Sequence, residues 1–145
     1  MLVPFIDLKK RFDVYQKQIL DKLIELGQNN DYILGKSVNE FETKMAEFIG
    51  CKYVIGVNSG FDALFLSLIA LNISSEDEVI TVSNSYVATA NAIKAVGATP
   101  VFVDVGKDYN ISVESIEKNI TKKTKVIMPV HLTGNPCEME KIVKI

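Results

Sequence analysis

The chain has 145 residues, enough for one ordinary domain, and its 48% hydrophobic and 23% charged residues exclude the polar excess of a disordered chain. A net charge of -2 without a long Lys/Arg cluster leaves no footprint for nucleic acid, and no stretch approaches the roughly 18 apolar residues of a membrane span. Its two cysteines, Cys51 and Cys137, stand in no zinc or redox spacing, and residues 1–10 carry charges where a signal peptide needs an apolar core. The expectation is a cytoplasmic chain with reduced thiols, no metal site, no membrane contact and no nucleic-acid partner.

In chain order, residues 12–26 place Val14, Ile19, Leu20, Leu23, Ile24 and Leu26 near helical spacing. They then meet Gly27 and the run Gln28-Asn29-Asn30-Asp31, which predicts an amphipathic helix stopped by Gly27. A second helix is predicted with Ser37 as its cap and Val38, Phe41, Met45 and Phe48 on one face, before Gly50. From residue 53 the texture changes. Short apolar runs rich in β-branched residues, at 53–57, 79–82, 101–105 and 125–130, alternate with helical spacing at 62–71, 86–96 and 113–120. Repeated strand and helix predict the α/β class, with a mainly parallel βαβ sheet carrying helices on its faces. Pro100 falls at the mouth of the third run, where a missing N–H is tolerated. A last helix opens at Glu138 and has barely begun at Ile145, so the sheet is expected to be partial. The expected organisation is an N-terminal helical arm at 1–50, followed at 51–145 by the first part of a larger, truncated sheet domain.

In open parallel sheets ligands bind outside the carboxyl ends of the strands, so the loops after the runs carry the functional candidates. After the first comes Asn58-Ser59-Gly60-Phe61-Asp62, a tight turn into a helix. Its N–H groups and positive helix end suit a phosphate, with Gly60 letting the backbone approach. The alternative is a structural glycine turn with Asp62 complementing the helix dipole. After the second run, Tyr86 begins a helix of small residues, either to stack on a flat ring or to close the helix end as a half-buried packing residue. After the fourth comes His131, the single histidine, read either as a proton carrier or as a hydrogen-bonded structural residue. Asp104, at the end of the third run, reads either as a catalytic carboxylate or as a loop-capping one, and the capping reading is preferred. No Walker loop, GxGxxG or HExxH motif occurs, which removes NTPase, dinucleotide and zinc-protease readings, and Ser59 has no nearby His for hydrolase chemistry.

Six segments in register resemble the pyridoxal-phosphate (PLP) dependent nucleotide-sugar aminotransferases of the DegT/DnrJ/StrS type, a fold type I family. They are Pro4-Phe5-Ile6-Asp7-Leu8; Tyr32-Ile33-Leu34-Gly35 with Phe41-Glu42; Ser59-Gly60-Phe61-Asp62-Ala63-Leu64; Asp77-Glu78-Val79-Ile80; Gly97-Ala98-Thr99-Pro100-Val101-Phe102-Val103-Asp104; and Val130-His131-Leu132-Thr133-Gly134. The resemblance implies the front of a fold type I large domain, with the PLP phosphate on the backbone of Gly60, Phe61 and Asp62 and its ring against Tyr86. Tyr32, Gly35 and His131 become candidates for the substrate rim. The implied reaction moves an amino group from an amino acid, L-glutamate in this family, to a keto sugar on a nucleotide, leaning toward a dTDP-3-keto-6-deoxyhexose. It also implies a homodimer in which residues 30–35 reach the neighbour's site.

Two positions depart from the family pattern: Phe61 stands where Thr is common, and Ser83 where Pro is usual. No lysine here falls in a matching motif, so no catalytic residue is nominated within the chain. The Schiff-base lysine is expected beyond Ile145, and the chain alone is expected to be inactive. Two rival readings stay open: a PLP-dependent sugar 3-dehydratase of the same fold, with His in place of that lysine, and a non-catalytic regulatory or binding domain.

Overall fold

The structure is a computed structural model that describes residues 3–145. The chain divides into two compact units, Met1–Gly56 and Val57–Ile145.

The first unit holds helices α1 (Leu8–Asn29) and α2 (Lys36–Ile49). Asp7 caps α1, its carboxylate accepting the Lys10 N–H at 2.9 Å. Contrary to expectation, α1 runs through Gly27 and ends at Asn30, which takes the left-handed conformation with φ 56°. Asn tolerates that conformation, and one glycine inside a long helix costs only about 0.5–1 kcal/mol relative to alanine. Gly27 has a packing role instead, because a Cβ there would lie 3.3 Å from the Tyr32 hydroxyl. Ser37 is not the cap of α2 either. Gly35 occupies the N-cap position, and the capping group is the carboxylate of Asp31, which accepts the Ser37 N–H at 3.0 Å and its hydroxyl at 2.7 Å. Gly50 ends α2 with φ 78°, the left-handed cap that glycine supplies without strain.

The second unit runs α3 (Gly60–Ala70), β1 (Glu78–Val82), α4 (Ala88–Ala95), β2 (Thr99–Val103), α5 (Val113–Asn119), β3 (Thr124–Ile127), a 3-10 turn (Leu132–Gly134) and α6 (Met139–Ile142). The three strands are parallel in the order β2-β1-β3. β1 is the middle strand and is buried on both faces, which explains its continuous apolar run. Period-2 alternation divides the core into two layers. Ile80 and Val82 pack with Val103, Ile111, Ile116 and Ile142, whereas Val79 packs with Leu68, Ala92, Ile93 and Ala98. Helices α3 and α4 therefore cover one face of the sheet, and α5 and α6 the other. Pro100 lies on the edge strand β2, opposite Val79.

The run at 53–57 is not a strand. Tyr53 is 73% exposed and Ile55 80%, and none of the described strands pairs with them. β-branched composition favours an extended backbone, but a strand needs a neighbour to receive its ladder hydrogen bonds. Among the described residues no helix is long and apolar enough to cross a membrane.

Candidate functional site

The head of α3 is built by Ser59. This residue is extended, with φ −156°, and its Oγ accepts the Asp62 N–H at 3.1 Å while its hydroxyl donates to Asp62 Oδ2 at 2.9 Å. The Ser59 carbonyl accepts the Ala63 N–H at 3.1 Å. The Asp62 N–H, expected to face an anion, is therefore already used by the cap, because an N-cap hydroxyl reaches the third helical N–H. Among the described residues the N–H groups of Gly60 and Phe61 take no protein partner. They are the orphan donors of the first turn, at the positive end of the helix dipole.

Gly60 has no structural need to be glycine within this chain. Its φ lies outside the left-handed region, and a Cβ there would meet nothing within 4 Å. The missing side chain leaves the backbone donors of the first turn open to close approach. The Phe61 ring turns inward, stacking on Phe65 with centroids 6.0 Å apart.

Connectivity sets which edge of the sheet this helix end occupies. Residues 71–77 join the last turn of α3 to the start of β1, and α3 packs on the Val79 face of the sheet. A helix so connected runs back against β1, which carries its N-terminus toward the strand's carboxyl edge. Tyr86 leaves from that same edge, in the loop between β1 and α4. Tyr86 precedes α4 by two residues rather than starting it, its carbonyl accepting the Thr89 N–H at 3.1 Å. A hydrogen bond of 2.9 Å between Ser85 Oγ and Thr89 Oγ1 closes the same turn. Tyr86 is 80% exposed in this chain.

Strand order adds a second indication. The connection from β1 to β2 moves one way along the sheet and that from β2 to β3 moves the other, with α4 and α5 on opposite faces. This reversal is the topological switch point outside which open α/β sheets bind ligands. The strands flanking it, β1 and β3, are followed by the loops that carry Tyr86 and His131. His131 is exposed, and its Nδ1 accepts the Cys137 N–H at 3.0 Å, which assigns the proton of the neutral ring to Nε2. The imidazole thus has the structural hydrogen bond of one reading while keeping Nε2 as a donor. Asp104 acts in its loop through its backbone: its N–H donates to Ser115 Oγ at 3.1 Å and its carbonyl accepts the Ser112 N–H at 3.0 Å.

Tyr32 and Gly35 belong to the first unit. Tyr32 is exposed, and Gly35 leaves room for Asp31. Hydrogen bonds from Ser37's hydroxyl and then its backbone N–H hold the Asp31 carboxyl below its ordinary value. Sequence reasoning missed Asn84 and Asn110, which tie the loops of the carboxyl edge together. The only signal was Asp108-Tyr109-Asn110, which reads as a turn. Among the described residues no group of His, Cys, Asp and Glu is placed to hold a metal ion.

Residues 13–145 match the DegT/DnrJ/EryC1/StrS aminotransferase family. A dTDP-3-amino-3,6-dideoxy-alpha-D-galactopyranose transaminase of Aneurinibacillus thermoaerophilus is 46% identical over 142 residues, covering 97% of this chain and 39% of the relative. The structure of S. venezuelae DesV in complex with a ketimine intermediate matches with a TM-score of 0.95 at 36% identity, over 98% of this chain and 38% of that one. The structure of ntda from Bacillus subtilis with bound cofactor PMP (pyridoxamine phosphate) matches with a TM-score of 0.94 at 35% identity, over 98% of this chain and 33% of that one. The chain thus spans less than two fifths of the length of each of these proteins. With the family match running almost end to end and the parallel α/β fold shared with these structures, this chain belongs to the DegT/DnrJ/EryC1/StrS aminotransferase family.

Proposed function

We propose that this chain supplies the front wall of the PLP site of a nucleotide-sugar aminotransferase. The observation that carries the reading is the open head of α3. Gly60 and Phe61 present unpartnered N–H donors at a helix N-terminus, and Gly60 is glycine where neither φ nor packing within the chain requires it. Such donors suit a dianionic phosphate. Asp62 contributes through its bond to Ser59, which fixes the first turn. Tyr86 offers an exposed ring from the same edge for a flat heterocycle. The residues present therefore fit the phosphate and ring of pyridoxal phosphate, which when bound serves as the electron sink for amino transfer.

His131 is a substrate-rim residue with Nε2 as donor, and Tyr32 and Gly35 of the first unit are substrate-rim candidates through the neighbouring site that residues 30–35 reach. The substrate is a keto sugar carried on a nucleotide, with a dTDP-linked 3-keto-6-deoxyhexose favoured by the likeness to the Aneurinibacillus enzyme. The amino donor is an amino acid, L-glutamate first among them. The working assembly is a cytoplasmic homodimer in which residues 30–35 reach the neighbouring site. No lysine of this chain is assigned the covalent role.

The test is titration of the chain with pyridoxamine 5′-phosphate and with unphosphorylated pyridoxamine, followed by amide chemical shifts. Saturable, phosphate-dependent shifts at Gly60 and Phe61 are expected, with ring-current shifts at Tyr86. Equal response to both compounds, or shifts confined elsewhere, would overturn the reading.

A further inference from the structure

The loop after β2 makes contacts that its strand position does not predict. β2 is an edge strand, separated from β3 by β1. Residues of its loop nevertheless bond to the loops that follow both other strands. Asn84, two residues before Tyr86, donates from Nδ2 to the carbonyl of Tyr109 at 2.9 Å. The next residue, Asn110, is only 2% exposed. Its amide nitrogen donates to the carbonyls of Asn135 at 3.2 Å and Pro136 at 3.1 Å, and to Asp108 Oδ2 at 3.2 Å. Its Oδ1 accepts the Leu132 N–H at 3.3 Å, beside His131.

To touch the loop after β3, a segment starting from β2 must span the carboxyl end of β1. The loop is rigid enough to do so. An antiparallel bridge between Val105 and Ile111 closes its base, and inside it the Gly106 N–H donates to the Asn110 carbonyl at 2.8 Å and the Tyr109 N–H to the Gly106 carbonyl at 3.1 Å. Tyr109, whose carbonyl meets Asn84, holds φ at 64°, a left-handed kink immediately before Asn110, whose side chain meets the other loop.

We infer that Asn84 and Asn110 are positioning residues, which hold the Tyr86 loop and the His131 loop at a fixed spacing across the carboxyl end of β1. Asn110 is the buried anchor and the exposed Asn84 is the latch. The inference rests on the reading of Tyr86 as the residue that meets the cofactor ring. With Asn84 unlatched, the fold and the head of α3 persist while the Tyr86 loop gains freedom, and ordering it again on binding lowers affinity.

The experiment compares the full chain with Asn84→Ala, Asn84→Gln and Tyr86→Ala, each titrated with pyridoxamine 5′-phosphate and with inorganic phosphate and followed by amide chemical shifts. Asn84→Ala is expected to weaken pyridoxamine phosphate by roughly three- to tenfold, the share that a stacked ring carries. Inorganic phosphate at Gly60 and Phe61, and the unfolding midpoint, stay unchanged. Asn84→Gln, which keeps an amide donor, recovers part of the loss. If Asn84→Ala weakens both ligands alike, the residue is merely structural and the inference fails. If it binds as wild type does while Tyr86→Ala is weakened, the latch is refuted and the ring reading survives. Should Tyr86→Ala also bind as wild type, the ring reading itself is overturned and the latch falls with it.

Discussion

A side chain at Gly35 would collide with the carboxylate of Asp31, the group that receives both the N–H and the hydroxyl of Ser37 at the start of α2. Gly35→Ala is therefore expected to displace the cap, costing about 1–3 kcal/mol as an overpacked site does. Urea unfolding followed by helical circular dichroism checks it. An unchanged midpoint would mean that Asp31 caps from another rotamer.

The same cap sets a pH dependence. Hydrogen bonds from the Ser37 hydroxyl, and then from its N–H, depress the carboxyl of Asp31 in the folded state. A depressed carboxyl stabilises the fold fully above its ordinary value, and that contribution is lost as pH falls through the folded value. The Asp31→Ala variant should thus be less stable than wild type at neutral pH, and the difference should close only below the usual carboxylate range. Paired melts across acid pH measure the gap. A gap that closes already above that range would show that Asp31 is not held in this way.

Gly60→Ala separates binding from stability. The added methyl meets nothing within 4 Å, and the residue lies outside the left-handed region. The melting temperature should hold or rise, by the equivalent of about 0.4–1 kcal/mol, because alanine restricts the unfolded chain. Pyridoxamine 5′-phosphate affinity should fall at least about tenfold, the equivalent of one lost hydrogen bond to a charged group. Unaltered affinity would remove the phosphate from the head of α3.

Asn110→Ala removes the side-chain bonds to the Leu132 N–H and to the Asn135 and Pro136 carbonyls, while the Leu132 N–H keeps its bond to the Val130 carbonyl. Losing several hydrogen bonds at about 0.5–1.5 kcal/mol each lowers the melting temperature of a unit of this size by several degrees. Differential scanning calorimetry reads it. Asn84→Ala, at an exposed position, should melt within about 0.5 kcal/mol of wild type.

The sequence alone determined whatever is encoded over a few residues. Helical spacing placed α1, α2, α4 and α5, and β-branched runs placed β1, β2 and β3, because local periodicity follows from side-chain direction along each element. Tyr86 and His131 were legible as candidates because they stand in loops after strands, where parallel sheets bind ligands, and Gly60 because a Ser-Gly turn opens a helix. Tertiary structure decided the rest. Gly27 and Asn30 were both competent to end α1, and the choice followed from where the chain turned toward Tyr32 and Asp31. The run at 53–57 had strand composition but no neighbour among the described strands, and the order β2-β1-β3 could not be read from runs that do not say which side they join. The brace of Asn84 and Asn110 joins residues 22 to 26 positions apart. No local pattern marks such a pair, because its hydrogen bonds exist only after the strands have brought their loops to one edge.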